Sequence, residues 1–164
     1  MDILEILLFF SILLSALVTG FILIYALVIM PGLSKLDDKQ FIKAFQVTDG
    51  IIQNNQPIFI LIWVGSIMSV FGTIITSILS LGILDAWIII FAGVVYLLVV
   101  QGITISIHLP LNKSIQNIDI NSSNSEILSK MRKSFETKWN YFNNVRTAVA
   151  FFVVLIFLSI LTGR

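Results

Sequence analysis

The chain has 164 residues, of which 57 % are hydrophobic and only 12 % charged, and its mean hydropathy is +1.00, far above that of a soluble domain. A net charge of +1 leaves no electrostatic footprint for nucleic acid, so no nucleic-acid partner is expected. With no cysteine, disulfides, thiolate nucleophiles, iron–sulfur clusters and Cys-rich metal sites are excluded.

The first element is an apolar run over residues 3–30, long enough to cross a bilayer, which needs about 20 such residues. A signal peptide would open on basic residues and have a shorter apolar stretch, whereas this start carries Asp2 and Glu5. The run is therefore expected to persist as a membrane span. Met30-Pro31-Gly32 closes it, and Asp37-Asp38 then offers a helix start. Phe41, Ile42, Phe45, Ile51 and Ile52 recur at roughly helical spacing, with Gln46, Asp49 and Gln53 on another face. This predicts an amphipathic helix that runs into a second span over 58–84.

A tight turn at residues 82–85 leads into a third span over 86–109, which ends in His108-Leu109-Pro110-Leu111-Asn112. The stretch from Ile118 to Ser125 is rich in Asn and Ser and is predicted to be a loop. A second amphipathic helix starts near Ser125 and continues through Phe135, Trp139 and Phe142 into a fourth span over 145–161. The runs are continuous rather than alternating, which favours helices over barrel strands. The predicted fold is all-α: a four-transmembrane-helix bundle with two amphipathic cytoplasmic helical extensions, forming a single membrane domain over 1–164. Each odd-numbered span ends in a Pro followed by a Lys, an amphipathic helix and an even-numbered span, a weak two-fold pattern.

Lys35, Lys39 and Lys43 lie between spans one and two, and Lys113, Lys130, Arg132, Lys133, Lys138 and Arg146 between or beside spans three and four. The opposite side has only Arg164. The positive-inside tendency places both connecting segments in the cytoplasm and both termini outside it. The Ile, Asn and Lys bias fits a bacterial inner or plasma membrane. Gly20, Gly65, Gly72, Gly93 and Gly102 are candidate points of close helix approach. The sequence admits homo-oligomerisation without establishing it.

Polar residues gather near the cytoplasmic ends. Gln101, Thr104 and His108 fall on one face of span three, with Asn112 just beyond. Gln46, Asp49 and Gln53 form a stripe before span two, and Trp139, Asn143 and Arg146 another before span four, beside Thr147. Ionisable groups at that depth point to a ligand or reaction site, the bland alternative being helix capping and helix-to-helix hydrogen bonds. Arg146 stays charged and needs an anion, either a lipid phosphate or a carboxylate such as Asp49. Basic residues on the second extension would suit anionic lipid headgroups, although an ordinary positive-inside segment looks the same. His108 has three open readings: a proton acceptor, a metal or haem ligand, or a hydrogen-bonded helix end. With one His and no Cys, neither a bis-histidine haem nor a multi-His metal site can form within one chain.

The segments Met30-Pro31-Gly32-Leu33, Phe45-Gln46, the run from Ile51 to Pro57, Leu109-Pro110-Leu111-Asn112 and the run from Trp139 to Thr147 resemble the anthrone-oxygenase-like family of small four-helix membrane proteins. His108 and Asp49 stand where that pattern carries amides. The resemblance implies oxidation of anthrone-like or other phenolic, polycyclic substrates by molecular oxygen without a classical cofactor. On this chain it implies His108 or Asp49 as proton acceptor and Arg146, Asn143 and Asn112 as oxyanion donors, with Trp139 as a stacking wall; Gln46, Gln101 and Thr147, from the polar stripes, are expected to bind substrate beside them. The alternative from another class is a non-catalytic membrane module that binds a lipid, a quinone or a partner protein.

Overall fold

The computed structural model describes residues 2–163, so Arg164, the lone cation expected at the far end, lies outside them. Among the described residues there are five helices and no strand. Four are long and apolar enough to cross a membrane: α1 (Ile3–Leu33), α3 (Pro57–Leu81), α4 (Trp87–Gln116) and α5 (Ser125–Thr162). The shorter α2 (Asp38–Gln53) joins α1 to α3. Large apolar side chains cover the outside of the bundle, among them Leu27, Leu61, Leu79 and Leu98, each at least 67 % exposed. Such a surface suits lipid as the surrounding solvent, as expected of an integral membrane protein.

Helix starts follow capping chemistry. Asp2 and Glu5 form a reciprocal capping box at α1, and the side chains of Asp37, Gln56 and Asn124 accept from the first turns of α2, α3 and α5. α2 does not run unbroken into the second span. Asn54, Asn55 and Gln56 interrupt it, with Asn55 at φ 61°, before Pro57 opens α3. α3 stops at Leu81 because Gly82 takes φ 81°, a conformation that favours glycine.

Neither odd-numbered span ends at its proline. α1 passes Pro31 to reach Leu33, and α4 passes Pro110 to reach Gln116. In both, a π-helical segment lies just ahead: Tyr25–Ile29 and Thr104–His108. There the Met30 N–H bonds Tyr25 O and the Leu109 N–H bonds Thr104 O, five residues back. The widened turn shifts the hydrogen-bond register where a proline would otherwise break the ladder.

Within the membrane the helices meet through small and hydroxylated residues. Ser11 Oγ and Thr73 Oγ1 lie 2.9 Å apart across α1 and α3, and Tyr96 on α4 donates to Ser66 Oγ on α3 at 2.9 Å. A Cβ on Gly93 would stand 2.7 Å from Ile74, and one on Gly65 3.1 Å from Leu14. Gly72 is in ordinary contact distance of Leu7, whereas Gly20 and Gly102 face open space, so only part of the predicted glycine set marks close approach.

A second apolar core closes one end of the bundle. Phe41, Ile42 and Phe45 of α2 are fully buried against Ile115, Leu128, Phe135 and Trp139. Arg132 of α5 fastens this layer, donating to the carbonyls of Ser34 and Leu36 and pairing with Asp38 and Glu136. Gln46 does the same on the other flank, donating to the carbonyls of Ile115 and Ile118 at 2.9 Å.

Candidate functional site

Between this end layer and the membrane-spanning core lies a cavity of about 420 Å³. Span one contributes an apolar wall through Val18, Phe21, Ile22 and Tyr25, and α3 contributes Phe59 and Trp63. Phe45 and Trp139 close the end, with their ring centroids 6.0 Å apart. Polar groups enter from four helices: Asp49 and Gln53 from α2, Thr104, His108 and Asn112 from α4, Arg146 from α5, and Tyr25 from α1.

These groups are ordered by one another. Asn112 is central: its amide donates to Asp49 Oδ1 at 2.7 Å, while its Oδ1 accepts from Trp139 Nε1 at 2.9 Å. Gln116 donates to Asp49 Oδ2 at 3.1 Å and also to the Gln46 carbonyl. Asp49 is 2 % exposed, and that burial pushes its carboxyl above the ordinary value, against the opposing pull of the Gln116, Gln53 and Asn112 amides. These amides use only part of a carboxylate's accepting capacity of about four sites, so Asp49 retains room for a ligand proton.

His108 is buried with its ring edge-on to Trp139 at 5.0 Å, and its Nε2 lies 3.3 Å from the Trp139 carbonyl. A carbonyl can only accept, so Nε2 carries the proton in this contact. Nδ1 is buried with no hydrogen-bond partner among the described residues.

Arg146 does not pair with Asp49. Its Nε and Nη2 both donate to Asn143 Oδ1, at 3.1 and 2.9 Å, and Nη1 donates to Thr104 Oγ1 at 2.9 Å. The expected ion pair fails because each charge has its own set of neutral partners, and Trp139 packs beside the guanidinium with its ring centroid 5.8 Å away. At 5 % exposure Arg146 is enclosed by protein, so it does not snorkel to lipid phosphate either.

The residues singled out from sequence therefore divide. Asp49, His108, Asn112, Trp139 and Arg146 reach the cavity wall. Asn143 stands behind it: its Oδ1 holds Arg146 and its Nδ2 donates to the Ile22 carbonyl at 3.0 Å. Gln101 accepts from Trp63 Nε1 at 2.7 Å and so positions a wall residue, whereas the Thr147 hydroxyl donates to the Asn143 carbonyl within its own helix and lies outside the cavity. Gln46 clamps the segment after α4 and lies outside the cavity. Sequence reasoning missed Tyr25 and Trp63, which sit inside long apolar runs and carry no charge to flag them.

A family model described as anthrone oxygenase matches residues 53–156, which spans α3, α4 and most of α5. No curated protein and no solved structure matches the chain.

Proposed function

The chain belongs to the anthrone oxygenase family, and from that premise we propose that its cavity oxygenates an anthrone-like, phenolic polycyclic substrate without a bound redox cofactor. One observation carries the reading: a buried carboxylate and a buried guanidinium open onto the same aromatic-walled cavity without neutralising each other. Its volume falls within the roughly 300–1,000 Å³ typical of small-molecule sites. Substrate would reach it from the bilayer, and the lysine-rich end of the bundle is taken to face the cytoplasm.

The chemistry is one that such a cavity can support. Asp49 takes a proton from the methylene carbon of the anthrone, and the negative charge spreads onto the ring carbonyl oxygen. N–H groups of Arg146 receive that oxyanion, with Trp139 stacking on the ring face. The carbanion is electron-rich enough to be oxidised by O₂ directly, forming a C–O bond to a hydroperoxide that regains a proton from Asp49. Loss of the second methylene hydrogen with cleavage of the O–O bond releases water and leaves a second ring carbonyl. The balance is CH₂ + O₂ → C=O + H₂O. His108 contributes by fixing Trp139 and stands as the second proton acceptor.

The test is oxygen uptake and anthraquinone formation by protein purified in mild detergent and supplied with 1,8-dihydroxyanthrone. One O₂ consumed per quinone, with the rate falling at least 100-fold in Asp49→Asn and Arg146→Ala, is expected from the loss of a general base or an oxyanion donor. Retained binding of the anthrone with no turnover above buffer would overturn the enzyme reading in favour of a binding module. A Soret band in the absorption spectrum of the purified protein, lost in His108→Ala, would replace the cofactor-free chemistry with haem chemistry.

A further inference from the structure

The oxygenase reading asks Arg146 to act only as charge develops during reaction. Its surroundings say more. The guanidinium is 5 % exposed, sits within a membrane-spanning helix, and cannot shed its proton at physiological pH. Yet no Asp or Glu oxygen among the described residues lies within the 4.0 Å of an ion pair. Asn143 and Thr104, its hydrogen-bond partners, are neutral. A buried cation left with neutral partners is strongly unfavourable, and such a residue in a membrane helix marks a ligand or ion site by default.

Geometry shows where the missing charge would sit. A guanidinium has five N–H donors, and three of those of Arg146 are engaged, which leaves two. Arg146 is on the cavity wall, and Asp49, the one carboxylate on that wall among the described residues, faces Asn112 and Gln116 instead. Away from these polar groups the walls are aromatic, through Phe21, Phe59, Trp63 and Trp139, and aliphatic, through Val18 and Ile22.

We infer that the cavity takes its ligand as an anion already in the ground state, with a carboxylate or phenolate oxygen on the two unused N–H groups of Arg146 and a flat apolar body against the aromatic walls. This rests on the reading of the cavity as the ligand site, and it narrows the substrate class to acidic polycyclic aromatics. Asn143 and Thr104 are positioning residues: they fix the plane of the guanidinium so that its remaining edge meets the cavity.

The experiment compares two probes of nearly equal shape, anthraquinone-2-carboxylate and anthraquinone-2-carboxamide, by equilibrium dialysis against the detergent-purified chain at neutral pH. A charge-assisted hydrogen bond to a buried partner corresponds to roughly ten- to hundredfold in affinity, so the wild type should prefer the carboxylate by that factor. Thr104→Asp sets a carboxylate where Oγ1 now stands 2.9 Å from Nη1, and it should collapse the preference toward one, whatever it does to absolute affinity. Equal binding of the two probes by the wild type, or an unchanged preference in Thr104→Asp, overturns the inference while leaving anthrone oxidation standing. Failure of both probes to bind overturns the inference together with the reading beneath it.

Discussion

Asn112 is the hinge of the site's hydrogen bonding, and its removal should be costly in a way that can be apportioned. In Asn112→Ala, Asp49 Oδ1 loses a donor at 2.7 Å and Trp139 Nε1–H loses an acceptor at 2.9 Å. Each partner left unsatisfied in a buried setting costs about 1–3 kcal/mol, which gives about 2–6 kcal/mol for the variant. Trp139→Phe removes only the indole donor of this pair, so the two single changes share one broken bond. Hydrogen bonds between membrane helices average about 0.6 kcal/mol in double-mutant cycles. The Asn112–Trp139 bond lies in the end layer beside a buried carboxylate, where a coupling of about 1 kcal/mol is expected, with the double mutant milder than the sum. Equilibrium unfolding in mixed detergent and SDS micelles at fixed pH measures all four species. Additivity within about 0.3 kcal/mol would refute the claim that the Asn112–Trp139 bond couples the two residues.

Three further outcomes test other parts of the structure. Because burial raises the Asp49 carboxyl above its ordinary value, its contribution to stability is complete below the unfolded value of about 3.9 and is lost as pH rises through the folded one. The wild-type melting temperature should therefore fall relative to that of Asp49→Asn across that window and then level off, and a difference independent of pH would argue against the buried carboxyl. Gly93→Val should weaken α3–α4 packing by about 1–3 kcal/mol, since even a Cβ would meet Ile74 at 2.7 Å, while Gly20→Ala, with open space around it, should change stability little when both are scored by SDS unfolding. Arg132→Ala should cost about 2–4 kcal/mol and expose the segment between α1 and α2 to protease, and Arg132→Lys should recover less than half, because one ammonium cannot reach the Ser34 and Leu36 carbonyls and two carboxylates together.

The fold was legible because its signals are long and redundant. Runs of more than twenty apolar residues, capping side chains at Asp37 and Asn124, and a glycine at the α3–α4 turn each specify a local outcome that no tertiary contact has to overrule. The candidate site was legible in its ionisable members, since Asp49, His108 and Arg146 are conspicuous at membrane depth. Pairing among them was not, because which carboxylate meets which cation depends on side-chain direction across three helices. Gln46 shows the limit most clearly: it shares a stripe with Asp49, yet its amide turns outward to hold the carbonyls of Ile115 and Ile118. The apolar wall from span one was silent for a different reason. Phe21 and Tyr25 look like any lipid-facing aromatics until the helices are assembled.

One signal would have exposed Tyr25. Pro31 and Pro110 each follow a π-helical segment at the same spacing, and the residue six before Pro110 is Thr104, on the cavity wall. Six before Pro31 stands Tyr25, also on the cavity wall, its ring tilted against that of Trp139 with centroids 5.5 Å apart. The two prolines thus share one backbone device, although α4 also carries a π-helical segment at Tyr96–Gln101 with no proline behind it. A proline removes one hydrogen bond, the helix answers by widening a turn ahead of it, and the widened turn begins at a residue that faces the cavity in each half. If that is the reason both prolines are present, Pro110→Ala should let Thr104–His108 relax toward α-helical register, rotating Thr104 away from Arg146 Nη1, and Pro31→Ala should withdraw Tyr25 from Trp139. Loss of carboxylate-probe binding in Pro110→Ala, with little loss of melting temperature, is the expected pairing. Normal binding in both proline variants would show that the π segments are held by the surrounding helices and that the prolines only accompany them.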